Sequence, residues 1–116
     1  MNRRLAERGG RRAETIAAWW LRLKGWTILA RRLRTPVGEV DLIARRGRTL
    51  AFVEVKARAT IEEARSSLDE YRLRRVAAAA AALTHRYARE GDDIRIDAIF
   101  VAPKALPRHF TNVWLG

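Results

Sequence analysis

The sequence predicts an α/β domain: one mixed sheet flanked by helices, in the order α-β-β-β-α-β-β. Three observations carry this. Residues 11–24 and 67–87 place apolar side chains at helical spacing. Between them, three stretches of strand-like alternation are punctuated by Thr35-Pro36-Val37-Gly38 and Arg45-Arg46-Gly47-Arg48. Another alternating stretch, 94–101, follows the second helical run. A hairpin, a helix and a returning strand make a mixed sheet with helices packed on it.

Each element has its own warrant. Met1 to Gly9 is Arg-rich and is expected to fray. The first helix is expected from about Arg11 to Lys24, with Ile16, Trp20 and Leu23 forming its apolar stripe and Gly25 ending it. Trp26 to Arg34, Glu39 to Ala44 and Thr49 to Ala57 read as strands. Arg58 to Ser66 has no clear period. Ser67-Leu68-Asp69-Glu70 fits a capping box with Ser67 at the cap. Behind it, Val76, Ala80, Leu83 and Tyr87 keep helical spacing, and the run Ala77 to Ala82 suits a closely packed helix face. Gly91-Asp92-Asp93 breaks that helix. Ile94 to Val101 is a strand, Pro103 and Pro107 bound a loop, and Thr111 to Leu115 reads as a short edge strand.

At 116 residues the expectation is one domain, 1–116. Cysteine is absent, which excludes disulfides, zinc-thiolate sites and thiol nucleophiles. His85 and His109 lie far apart, and the only serines, Ser66 and Ser67, are adjacent; neither a transition-metal cage nor a Ser-His-Asp triad is expected. Lys+Arg is 24 against 13 Asp+Glu, a net charge of +11, and a small domain so basic points to a polyanion. Residues 1–34 alone hold ten basic and two acidic residues, 10 − 2 = +8. The start of the chain lacks an apolar signal region and no apolar run reaches about 18 residues, so a cytoplasmic protein with no membrane partner is expected.

Against this basic background the acids cluster. Glu39-Val40-Asp41-Leu42-Ile43 and Phe52-Val53-Glu54-Val55-Lys56 set acids among apolar residues. Strand alternation puts Glu39 with Asp41 on one face, and Glu54 with Lys56 on one face. If the hairpin closes through Arg45 to Arg48, three carboxylates and one ammonium can meet. Burying such acids is costly, and a divalent cation removes the conflict: Mg²⁺ takes oxygen ligands, polarises a phosphodiester and lowers the pKa of a bound water. Lys56 would then orient that water or stabilise charge on the phosphate. The same string also suits a solvated face carrying a cross-strand ion pair.

Gly38-Glu39-Val40-Asp41-Leu42-Ile43 followed by Phe52-Val53-Glu54-Val55-Lys56-Ala57-Arg58 resembles the signature of the YraN-like family of uncharacterised bacterial proteins. That family belongs to the restriction-endonuclease-like superfamily, whose D…(D/E)-x-K motif binds Mg²⁺ and cuts phosphodiesters. The resemblance runs from about Gly10 to Leu115 and implies an αβββαβ core. By position it makes Asp41 and Glu54 metal ligands for Mg²⁺ or Mn²⁺ and Lys56 the catalytic lysine, with Glu39 an accessory acid. Glu14 matches an acid on the family's first helix and would complete the site; its other reading is a solvated helix residue. Asp97 in Arg95-Ile96-Asp97 matches an Arg-Phe-Asp element and is expected to be structural, pairing a nearby arginine. The chain departs from the pattern where Arg72-Leu73-Arg74-Arg75 replaces Lys-Gln-Arg-Arg, so that Leu73 stands for a glutamine, and where Ala13 replaces a glycine.

The implied activity is a Mg²⁺-dependent nuclease on DNA, more than RNA, with branched or flapped DNA favoured by fold analogy. The alternative is a nucleic-acid-binding accessory module with a degenerate site. Arg45, Arg46 and Arg48 at the hairpin, Arg58 after the motif, and Arg72, Arg74 and Arg75 at the helix start are expected to track phosphates. Trp19, Trp20, Trp26 and Trp114 are read mostly as core. A homodimer would let two sites face two strands, although no interface is legible.

Overall fold

The computed structural model describes residues 3–114, with side chains from Gly10 onward. Helix α1 spans Arg3–Leu23, followed by strands β1 (Thr27–Thr35), β2 (Gly38–Arg46) and β3 (Thr49–Ala57). Two helices, α2 (Ile61–Ser66) and α3 (Glu70–Tyr87), lead to β4 (Asp93–Val101) and β5 (Arg108–Phe110). The strands form one sheet in the order β1-β2-β3-β4-β5. Neighbours pair antiparallel except β3 and β4, which run parallel from Thr49↔Asp93 to Ala57↔Val101. The expected α/β class and mixed sheet are borne out.

Helix α1 begins earlier than the Arg-rich composition suggested: from Arg3 the segment expected to fray has helical backbone, and only residues 1 and 2 of it lie outside the described range. Its buried face also differs. Ala13, Ala17, Ala18 and Leu21 are buried, whereas Ile16 is 39 % and Leu23 76 % exposed. Alanines let the helix approach the sheet closely, so the larger residues flank the contact rather than fill it. The helix ends where Gly25 (φ 90°) turns the chain back and the Trp26 N–H bonds to the Leu21 carbonyl at 3.0 Å.

The core has a layer on each face of the sheet. Ala13, Ala17 and Leu21 of α1 pack with Leu42, Ala51, Val53 and Ile99. Val76, Ala79, Ala80 and Leu83 of α3 pack with Ile43, Leu50, Phe52 and Ile96. Leu50 and Phe52 thus face one helix and Ala51 and Val53 the other, as strand alternation requires. The segment 58–66 carries α2, capped by Thr60, whose hydroxyl accepts the Glu63 N–H at 3.0 Å. Its Ala64 packs on Ala98 and Phe100.

Helix α3 is capped by Asp69, not Ser67: Asp69 Oδ1 accepts the Arg72 N–H at 2.7 Å. Ser67 instead closes α2, its hydroxyl donating to the Ala64 carbonyl at 2.6 Å. Strand β5 likewise lies before the expected Thr111 to Leu115, of which Leu115 is outside the described residues. Asn112 has φ 54°, and there the chain leaves the strand; the Val113 N–H then bonds across to the Ile96 carbonyl at 2.8 Å. Trp26 is buried and Trp20 half-buried, but Trp19 is 59 % exposed and is not core.

Gly38 opens β2 directly beneath α3. A Cβ there would sit 2.0 Å from the Arg75 carbonyl oxygen, so α3 or β2 would have to move. Gly38→Ala is therefore expected to cost about 1–3 kcal/mol, the range for overpacking. A denaturant midpoint equal to wild type would contradict this close approach.

Candidate metal and phosphate site

Strands β2 and β3 pair from Arg46↔Thr49 to Leu42↔Val53. Beyond that pair Asp41 places its carboxylate in the ladder, and Oδ2 accepts the Val55 N–H at 2.7 Å. Glu54 lies beside it, only 1 % exposed, and Lys56 follows two residues on, half-buried. A cleft of about 590 Å³ opens here, lined by Glu14, Asp41, Glu54, Lys56, Arg58 and Arg72 among others. Residues up to 62 positions apart in sequence, Gly10 and Arg72, share its wall because α1 and the start of α3 both reach this end of the sheet.

Glu14 is 5 % exposed, so the reading of a solvated helix residue fails. Its partner is Arg32 of β1, whose φ of 52° is rare for a side-chain-bearing residue. Arg32 Nε lies 2.9 Å from Oε1 yet is aligned on Oε2 at 3.2 Å, so the buried Oε1 accepts no hydrogen bond. Burial pushes the Glu14 carboxyl up, partly offset by Arg32.

Arg72 stands among the acids. Its Nε donates to Glu54 Oε2, its Nη1 to Glu39 Oε1 at 2.6 Å, and its Nη2 lies 3.9 Å from Asp41 Oδ1. The Arg72 hydrogen bond holds Glu39 below the usual carboxylate range against the opposing effect of burial. Asp41 is pushed up to about 9, first by burial and then by the neighbouring Glu54 carboxylate. A second negative charge so close disfavours the ionised form of Asp41.

The donor chemistry fits a hard divalent cation: oxygen ligands only, one of them buried without a partner. The spacing, however, is set by Arg72. Among the described residues no three Asp, Glu or His side chains converge on a point that would hold an ion. Asp41, Glu54, Lys56 and Glu14 are thus brought to one cleft, with Glu39 reaching it through Arg72.

The basic residues divide. Arg45 is buried, its guanidinium held by both Asp92 oxygens (2.8 and 2.6 Å) and the Tyr87 carbonyl (3.1 Å), and so cannot track phosphates as expected. It ties the hairpin to the end of α3. Arg72 is engaged by carboxylates rather than displayed. Arg46, Arg48, Arg58 and Arg74 are exposed, with Arg74 paired to Glu70 at 3.1 Å, and Arg75 is half-buried. Composition and spacing could not separate a buried arginine from a surface one; the long-range carboxylate partner decides.

A second polar cluster was only half legible. Asp97 is fully buried and pairs Arg95 as expected (Nη2–Oδ2, 2.9 Å). It also meets His109 Nε2 at 2.8 Å and accepts the Asn112 N–H at 2.9 Å.

The fold and cleft define an α/β protein with a carboxylate cluster and a lysine at the open end of a mixed sheet. A family model described as "Uncharacterised protein family UPF0102" matches residues 13–101. UPF0102 proteins of Sphingopyxis alaskensis and Erythrobacter litoralis are 61 % and 58 % identical, each over 98 % of both chains. One from Rhizorhabdus wittichii is 61 % identical over 100 % of this chain and 99 % of its own. The chain belongs to the UPF0102 family, which bears out the YraN-like resemblance. Among the described residues no helix is long and apolar enough to cross a membrane.

Proposed function

We propose that this protein is a Mg²⁺- or Mn²⁺-dependent nuclease acting on DNA, with branched or flapped DNA as its preferred substrate. The observation that carries the reading is the convergence of Asp41, Glu54 and Lys56 on one cleft. When bound, the ion would polarise the phosphodiester and activate a water. Asp41 and Glu54 would hold it, with Glu14 and Glu39 as further acids. Lys56 would place its ammonium against a non-bridging phosphate oxygen, where charge grows during hydrolysis. Arg58 on the cleft rim and the exposed Arg46 and Arg48 would align the backbone by charge. The cytoplasm, where no disulfide or membrane anchor is needed, is the matching compartment, and a homodimer the matching assembly for a cut in both strands.

Two observations favour the second reading, a nucleic-acid-binding accessory module with an inactive site: Arg72 occupies the space between the acids, and Leu73, standing for the family's glutamine, packs against the core and lines neither cleft. The test is a cleavage screen with Mg²⁺ or Mn²⁺ on single-stranded, duplex, flap and four-way-junction DNA and on RNA. Cleavage of DNA that Asp41→Asn and Glu54→Gln abolish is the expected result. Tight binding with no cleavage of any substrate would give the second reading preference.

A further inference from the structure

Arg72 lies in the first turn of α3 and reaches all three acids of β2 and β3. Besides its bonds from Nε to Glu54 and Nη1 to Glu39, its Nη2 is 3.3 Å from Glu54 Oε1. Together with Glu14 and Asp41 it lines both the main cleft and a smaller one of about 240 Å³ on its other side. Guanidinium and Mg²⁺ make different demands on the same oxygens. The first offers five donors in a flat fork; the second draws oxygens to about 2.0–2.1 Å in an octahedron. Glu54 and Asp41 cannot satisfy both at once.

From this geometry we infer that Arg72 is the resident counter-cation of the site, and that a divalent ion enters only as Arg72 withdraws. The inference rests on the metal-dependent reading above. It explains how a nearly buried Glu54 beside Asp41 is tolerated without metal: a lone buried carboxylate is costly, and a hydrogen-bonded arginine offsets that cost. It also has a route. The Arg72 side chain is 25 % exposed, so rotation about its own χ angles carries the head outward without moving α3. The withdrawn guanidinium stays on a rim it shares with Lys56 and Arg58. There it meets a phosphate in the bidentate geometry that suits it. Exchange of one positive charge for two leaves the cleft more attractive to an anion. Metal loading and phosphate capture are thereby coupled through one side chain.

Two measurements test this. In the wild-type protein, the ¹H–¹⁵N signal of Arg72 Nε should shift and lose protection from solvent exchange as Mg²⁺ is added, following the same saturation curve as ion binding. In parallel, Mn²⁺ affinity, read from the free-ion paramagnetic resonance signal, should rise about tenfold or more in Arg72→Gln, because the fraction of protein competent to bind is no longer limited by the arginine. Saturation with an unmoved Nε signal, or unchanged or weaker Mn²⁺ affinity in Arg72→Gln, would overturn the exchange and leave the metal reading intact. Absence of ion binding to both chains would remove both.

Discussion

Lys56→Ala is expected to lower the cleavage rate by about 10²–10³ while changing DNA affinity little. The magnitude is that of removing one preorganised contact to developing charge. The asymmetry follows from position. Lys56 lines the cleft with Asp41 and Glu54 and shares a strand face with Glu54, so in the proposed reaction its ammonium would act at the reacting phosphate. Affinity, in contrast, would come from the excess positive charge of the whole chain, in which Lys56 is one of 24 basic residues. Lys56→Arg should not restore the rate, because a guanidinium is bulkier than an ammonium and effectively never deprotonates. Single-turnover rates at saturating DNA, with affinity from fluorescence anisotropy, separate the two effects. Equal rates for wild type and Lys56→Ala would dismiss this role for the lysine even if cleavage itself were found.

The largest effect on stability is expected at a different place. Asp97→Asn should destabilise the fold by about 3 kcal/mol, the low end for breaking a buried pair, since Arg95 and His109 keep partial access to water. Asp97 gathers β4, β5 and the Asn112 turn onto one carboxylate. Burial pushes that carboxyl up, but hydrogen bonds from His109, Arg95 and the Asn112 N–H outweigh it and hold it below the usual range. The sign follows: a depressed carboxylate contributes stability above its unfolded pKa of about 3.9, and that contribution fades as pH falls through the lower folded value. Chemical denaturation from pH 7 down to pH 2 should show the gap between wild type and Asp97→Asn full near neutrality and narrowing below about pH 4. A gap that stays constant with pH would mean the carboxylate's charge contributes nothing to the fold.

Much of the frame was legible because it depends on local periodicity. Alternation in Glu54-Val55-Lys56 puts the acid and the lysine on one face wherever the strand sits, and Gly25 ends α1 by its own backbone freedom. Where two local signals competed, the wrong one could be chosen: both Ser67 and Asp69 can cap a helix, and the second turn of chain between α2 and α3 gave each a different end to close. On α1 the large residues Ile16, Trp20 and Leu23 outlined a stripe, yet the helix packs on Ala13, Ala17 and Leu21. Periodicity states that one face is apolar; it does not state how near the sheet lies, and a close approach selects small side chains.

By itself, then, the amino-acid order determined the element types, the alternation of the motif strands, the family resemblance and the excess of positive charge. All of these follow from residue identity and short spacing. The tertiary structure alone decided what Arg32, Arg45 and Arg72 do. The parallel crossover from β3 through α3 to β4 carries Arg72 back over Glu39 and Glu54, and the same crossover sets Asp92 against Arg45. An arginine's role depends on which carboxylate lies within a few ångströms of it. Such partners stand 18 to 47 residues away along the chain. No local pattern encodes that distance; only the closed sheet brings the charges together, and the cost of burying them unpaired keeps them there.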